Sequence, residues 1–372
     1  MIYFVVPADG AFSVEEYLAR DLPEVATWFR VLPYEKIPDM QEFPRGTYVW
    51  AGLDQLVPGM LRLVTVLHRD LAAAGGVRFL NHPTNTLRRF HLLDRLHKSG
   101  RNNFRAIRVG DDMANLRYPV FLRGERSHGG NVSSLLHSPP EIERAIGKAV
   151  LQGHSRDDLL VVEFCSVADP DGSYRKYSAF KVGSRILARS MERGQHWMVK
   201  LSHGEFTREL AMEEREYMVG NPHADVLDEV FRMAQVEYGR IDYSFQDGQL
   251  RTWEINLNAT IGRGVGPGGG MGSAEVRAIR DEAREYFFDR FREAWREVDS
   301  EAGDAPPVRV EFDRTLIQQA HQRRLRGSRV LAAGRSLLRP AKPIIEPLMD
   351  PIIRWLGRTA GISTPRDTRV TK

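Results

Sequence analysis

Along the first eighty residues the hydrophobic pattern switches between two periods. Residues 2–6, 27–32, 47–51 and 77–80 are short β-branched or aromatic runs that read as strands. Between them, residues 14–19, with Ser13 as the expected cap, and residues 55–74, stopped by Gly75 and Gly76, carry helical spacing. Short apolar strands alternating with helices predict a small parallel α/β domain, closed by a turn containing Asn81, His82, Pro83 and Asn85. A helix over 87–98 should end at Gly100. Further strands are predicted at 120–123, 159–165, 174–182 and 185–188, and a pair at 240–245 and 250–256, the later ones separated by short turns as in antiparallel hairpins. Helices are expected over 141–151, 207–219 and 223–236. A last one carries Val276, Ile279, Phe287, Phe291 and Trp295 on one apolar stripe.

Composition narrows the classes. The 372 residues are 42% hydrophobic and 27% charged, an ordinary globular mixture long enough for two or three domains. A single cysteine, Cys165, excludes an intramolecular disulfide framework and reads as a buried inert thiol. Apolar runs stay far short of the ~18 residues of a membrane span, and 2–6 is too short for a signal-peptide core, so a cytoplasmic protein is the expectation. The net charge of +4 hides an asymmetry. Residues 314–372 hold 13 Lys/Arg against 3 acids, leaving 40 basic and 46 acidic residues in 1–313. Such a mildly acidic body argues against nucleic acid as its partner.

The chemistry concentrates late in the chain. Arg240 and Asp242 alternate along one predicted strand, and Glu254, Asn256 and Asn258 along the next, so each set projects to one face. A hairpin brings the sets side by side: two carboxylates, one or two amide oxygens and a guanidinium. Hard oxygen donors in incomplete number suit Mg²⁺, which keeps waters and takes phosphate oxygens as further ligands. Upstream, Arg123 ends a strand that begins at Pro119 and precedes Ser127-His128-Gly129-Gly130-Asn131, where small residues let backbone N–H groups approach phosphates. Arg89 opens a helix, Glu163 lies near the end of an apolar strand, and Arg175 and Lys176 face opposite sides of another.

In order and interval these segments resemble the ATP-grasp superfamily over roughly residues 1–300. The motifs are the Asn81–Arg89 turn and helix start, Pro119 with Arg123, Glu163 on a hinge strand, and the late Arg-x-Asp and Glu-x-Asn pairs. The resemblance implies an α/β (α+β) ATP-grasp fold. Its parts would be a Rossmann-like N-terminal domain over 1–80, an ATP-grasp domain over 81–300 with a lid at about 101–165, and a basic extension over 301–372. It further implies an ATP- and Mg²⁺-dependent ligase joining a carboxylate to an amine through an acyl-phosphate. One or two ions, with Mn²⁺ as a substitute, would sit on Asp242, Glu254 and Asn256. Arg240 would meet the transferred phosphoryl group, Arg89 and Arg123 the triphosphate, and Glu163 the adenine or ribose, with Arg175 or Lys176, Gly129 and Gly130 completing the nucleotide site. Two departures stand out: the usual lysines are Arg89 and Arg123, exchanging a point charge for a fork, and Ala259 replaces a common proline. A small-molecule kinase and a non-catalytic ATP-binding regulator are the alternatives on the same scaffold.

The remaining signals are weaker. Gly264-Val265-Gly266-Pro267-Gly268-Gly269 matches a dinucleotide fingerprint in form. The next strand lies over forty residues on, however, so 262–272 reads as a substrate loop or a plain connection. His128 and His203 adjoin glycines and read as surface or packing residues, with substrate contact as the alternative. Arg189, Trp197 and Lys200 are candidates for the substrate side, with core packing as the alternative for Trp197. The arginine-rich segment 315–338 predicts a helical arm packed on its own body or on a second copy in a homodimer. The alternative is an arm bound to an anionic membrane face or an acidic partner.

Overall fold

The structure, a computed structural model, describes residues 1–21, 25–127, 130–199, 206–262, 272–300 and 305–321. The described residues divide into two compact units, one of Met1–Leu87 with the stretch from Ser166 to His321, the other of Arg88–Cys165.

In chain order the first unit opens with β1 (Ile2–Val6), α1 (Phe12–Asp21), β2 (Phe29–Pro33), β3 (Glu42–Phe43), β4 (Thr47–Trp50), α2 (Pro58–Ala74) and β5 (Arg78–Leu80). A four-stranded parallel sheet results, in the order β2-β1-β4-β5. Ser13 does not cap α1. The helix begins one residue earlier, and the Ser13 hydroxyl donates instead to Asn258 Oδ1, 245 residues away. The second unit follows, with α3 (Arg89–Lys98), β6 (Ala106–Arg108), β7 (Val120–Gly124), α4 (Pro139–Leu151) and β8 (Leu159–Glu163). Its antiparallel sheet has the order β6-β8-β7 and its own core of Val120, Leu122, Ile142, Ile146 and Val161. Three-residue β6 carries too little pattern to be read from the sequence.

The chain then returns to the first unit through β9 (Tyr174–Val182), β10 (Arg185–Gly194), α5 (Arg208–Gly220), α6 (Ala224–Ala234), β11 (Tyr238–Gln246), β12 (Gln249–Asn256), α7 (Ala274–Val298), β13 (Val308–Arg309) and α8 (Arg314–His321). Strands β10-β9-β11-β12 form an antiparallel sheet. Helix α7 joins this sheet to the parallel one. Trp295 packs edge-on against Phe29 at 5.3 Å and lies 5.3 Å from Tyr238, while Phe291 meets Phe180 at 5.3 Å and Tyr17 at 5.5 Å. Burying such rings stabilises by about 1.5–3 kcal/mol each, so the stripe seen in the sequence is the main internal glue.

Asn81 makes the second connection. It sits in the left-handed region at φ 67°, and its Oδ1 accepts from the backbone N–H groups of Glu237 and Tyr238, both at 3.0 Å. Its Nδ2 donates to the carbonyls of Trp50 at 3.2 Å and Tyr238 at 2.9 Å. The Asn/Pro turn is therefore a stitch between two sheets. Residues 308–321 also belong to the first unit. β13 pairs with β3, and α8 lies on α2 so closely that a Cβ on Gly59 would fall 2.0 Å from the Gln319 carbonyl oxygen. The predicted arm begins in α8; its remainder and the rest of the tail, from Gln322 on, lie outside the described residues.

Candidate functional site

Residues directly opposed in an antiparallel ladder share a face. The register opposes Asp242 to Glu254, Arg240 to Asn256, Asp242 to Ser178, and Lys176 to Glu192. Lys176, Ser178, Glu192, Arg240, Asp242, Glu254 and Asn256 therefore stand on one face of the four-stranded sheet. Two β-bulges make this so. Counted back from the β11–β12 turn, Asp242 would oppose Trp253, leaving Glu254 on the other face; the ladder slips by one residue at Trp253 and brings Glu254 round. Counted from the β9–β10 turn, Lys176 would oppose Met191; the slip at Arg189 replaces Met191 with Glu192.

The charges on this face are paired. Arg240 grips Asp242 in bidentate fashion through one edge, Nε donating to Oδ1 at 2.9 Å and Nη2 to Oδ2 at 3.3 Å. Burial works against the Arg240 guanidinium, but Asp242 and then Glu254 outweigh it and hold its pKa above the ordinary value. Lys176 Nζ lies 3.0 Å from Glu192 Oε2; burial again opposes the charge, and Asp242 with Glu192 raises the pKa nonetheless. Arg175 points elsewhere, pairing with Asp169 at 2.9 Å and Glu213 at 3.3 Å, so of the two candidates Lys176 is the one that joins the cluster. Asn256 Oδ1 accepts the Asn258 N–H at 2.9 Å, and Asn258 Nδ2 donates to Gly10 O at 3.2 Å, tying the end of β12 to the β1–α1 connection.

Asp242, Glu254 and Asn256 present two carboxylates and one amide oxygen from adjacent positions of paired strands. Among the described residues no group of three His, Cys, Asp or Glu side chains converges, so a closed all-protein cage is not built here. The donor set fits an open site for a hard cation that takes its remaining ligands from water or phosphate. In the structure Asp242 is paired with Arg240.

The other expected site residues lie in the second unit. Arg89 is buried, and its Nη1 donates to the carbonyls of Gly124 and Ser127, bracing the end of β7 and the loop after it. Glu163, 3% exposed, accepts from the Arg105 N–H, Nε and Nη2 at 3.0, 3.0 and 2.7 Å and from the Arg117 N–H at 2.9 Å. Both were expected against a nucleotide; both spend these polar atoms inside their own unit, where a buried charge must be paired. Arg123 stands half-buried on β7, and Gly130 has a positive φ of 89°. Gly129, His128, Lys200, His203 and residues 263–271 of the glycine-rich loop lie outside the described residues. Cys165 is buried, with Sγ 3.3 Å from Asn103 Oδ1. Sequence reasoning missed Glu192 and Arg105. Glu192 was hidden by the bulge, and Arg105 stands among many arginines with no periodic signal.

No protein-family model matches the chain, and no curated protein sequence matches it. Among solved structures the chain is similar to a D-alanine–D-alanine ligase from Bacillus anthracis complexed with ATP, at 12% identity and a TM-score of 0.42, over 78% of this chain and 98% of that one. It is similar to a RimK domain protein ATP-grasp from Sphaerobacter thermophilus at 12% identity and a TM-score of 0.39, over 76% and 98%. An L-amino acid ligase from Bacillus licheniformis matches at 12% identity and a TM-score of 0.36, over 69% of this chain and 66% of that one.

Proposed function

We propose that the protein is an ATP-dependent ligase that joins a carboxylate to an amine through an acyl-phosphate. The observation that carries this reading is the register that sets Asp242 against Glu254 and Arg240 against Asn256 on one face. Phosphoryl transfer asks a protein for positioning and charge neutralisation rather than for a covalent partner, and this face offers both. Asp242, Glu254 and Asn256 would hold Mg²⁺, which when bound supplies neutralisation of the phosphate oxygens. Arg240 would leave Asp242 for the transferred phosphoryl group, and Lys176 would add charge beside it. The resemblance adds Arg123, Gly129 and Gly130 as nucleotide contacts, while Arg89 and Glu163, also expected there, brace their own unit.

In the reaction the substrate carboxylate oxygen attacks the terminal phosphorus and the bond to ADP breaks. The amine nitrogen then attacks the acyl carbon, inorganic phosphate leaves with the carbon–oxygen electron pair, and the amine proton passes to phosphate or solvent. The test is the affinity for a non-hydrolysable ATP analogue with Mg²⁺ in the wild type, Asp242→Ala and Glu254→Ala, together with ADP release over a panel of acids and amines. Weakening of about tenfold or more is expected in each variant, as for loss of one charged contact worth ~1.4 kcal/mol. Equal affinity in all three proteins, or no ADP release with any pair, overturns the reading. A stable phosphorylated product without amine would mark a kinase instead.

A further inference from the structure

Arg189 is the residue that the β9–β10 ladder skips: Ala188 opposes Ala179, and Ser190 opposes Ser178. A bulge re-aims the side chain of its extra residue. Here the guanidinium lies over two rings of α7, 4.8 Å from the centroid of Phe287 and 5.6 Å from that of Phe288. A guanidinium is planar, and its N–H donors point outward in its own plane. Of its five N–H donors, one makes a hydrogen bond among the described residues, Nη2 to the Gly262 carbonyl at 3.2 Å.

The neighbouring charges are already taken. Lys176 pairs with Glu192, Arg240 with Asp242, Arg280 with Glu214 at 2.8 Å, and Arg284 with Asp281 at 3.0 Å. Among the described residues no carboxylate lies within ion-pair distance of Arg189. Burial first, and then the like charge of Arg284, lower its pKa to about 10, with Glu214 and Glu192 opposing the fall, so it stays charged at neutral pH. The stretch that follows Gly262, residues 263–271, contains no acidic residue. Glu192 and Glu214, the acids nearest in its electrostatics, line a small cleft with Phe206, Leu210, Val276 and Arg280.

We infer that Arg189 is a carboxylate-recognition residue, binding through the donors that have no partner among the described residues a substrate carboxylate that the reaction does not consume. The inference rests on the ligase reading for the word substrate alone; the anion site stands on its own geometry. A planar fork over an apolar floor matches a carboxylate in bidentate fashion. That carboxylate belongs either to the amine partner, as in an α-amino acid, or to the acid partner, as in a dicarboxylate.

The test is modification of the whole protein by the arginine reagent phenylglyoxal, followed by peptide mapping at Arg189. The probes are alanine, glutarate, methylamine and inorganic phosphate at equal concentration. A carboxylate probe at about four times its Kd should slow modification of Arg189 about fivefold, methylamine not at all. Protection by alanine alone assigns the carboxylate to the amine partner, by glutarate alone to the acid partner; either supports the inference. Absence of protection by both, or protection by phosphate as strong as by either, overturns it. In parallel, Arg189→Lys, which keeps the charge and loses the fork, should weaken calorimetric binding of the protecting probe about tenfold while preserving the melting temperature. Undiminished affinity in a folded Arg189→Lys also overturns it. Failure of ATP-analogue binding in the wild type would defeat the ligase reading and leave the Arg189 result readable.

Discussion

Glu163→Gln separates a strut from a ligand contact. The carboxylate is 3% exposed and accepts from four donors, three on Arg105 and one on the Arg117 backbone. Glutamine keeps the shape, removes the charge, and turns an N–H₂ group toward at least one of those donors. Breaking a buried ion pair by removing one partner costs 3–5 kcal/mol, and because the Arg105 side chain is 31% exposed and regains water, the lower end, about 3 kcal/mol, applies here. The loss falls on the second unit, since this carboxylate adds to the β6–β8 ladder a tie from the end of β8 to Arg105 and Arg117. Native-state hydrogen exchange reads it directly: 3 kcal/mol corresponds to exchange on the order of a hundredfold faster for amides of Ala106–Arg108 and Leu159–Glu163. The affinity for an ATP analogue, measured below the temperature at which that unit opens, should change little by comparison. Unchanged exchange with nucleotide affinity reduced about tenfold, a loss of ~1.4 kcal/mol, would refute the strut argument and return Glu163 to the nucleotide.

Three further outcomes follow from particular contacts. Asn81→Asp replaces the Nδ2 donor to the Trp50 and Tyr238 carbonyls with an acceptor, and should lower unfolding free energy by about 3 kcal/mol, read as a lower urea midpoint at unchanged m-value. Burial first, and then His82, lower the His68 pKa to about 4, and the Trp50 indole N–H donates to its Nδ1 at 3.0 Å, which requires that nitrogen unprotonated. The unfolded chain therefore binds more protons between pH 6.5 and 4, and stability held above pH 6.5 is lost as pH falls toward 4. The stability gap between wild type and His68→Gln should accordingly be narrower at pH 4.5 than at pH 7.5; a gap independent of pH contradicts this. Gly59→Ala sets a methyl group against the Gln319 backbone, where neither side yields cheaply, and should cost about 1–3 kcal/mol. Faster tryptic cleavage after Arg309 and Arg314 is the readout, and an unchanged digestion rate would show that α8 does not depend on this approach.

Strand and helix existence was legible in the chain wherever the pattern ran long enough. The β9 segment agrees to the residue, α7 shows its stripe, and the parity of Arg240 with Asp242 and of Glu254 with Asn256 needed only the two-residue repeat of a strand. Short elements such as β3, β6 and β13 were not, because two or three residues contain no period. The polar partners of Arg89 and Glu163 were hidden too: a charged residue at a motif position looks the same whether it meets a ligand or a neighbouring carbonyl.

What the chain determined by itself is therefore the set of groups and the face each takes on its own strand. Which faces coincide was decided in three dimensions, by one extra residue at Trp253 and one at Arg189. A single-residue slip exchanges the two faces of a strand, so without the first bulge Glu254 would stand away from Asp242, and without the second Lys176 would face Met191. A bulge belongs to two strands paired together, so neither strand's own pattern contains it.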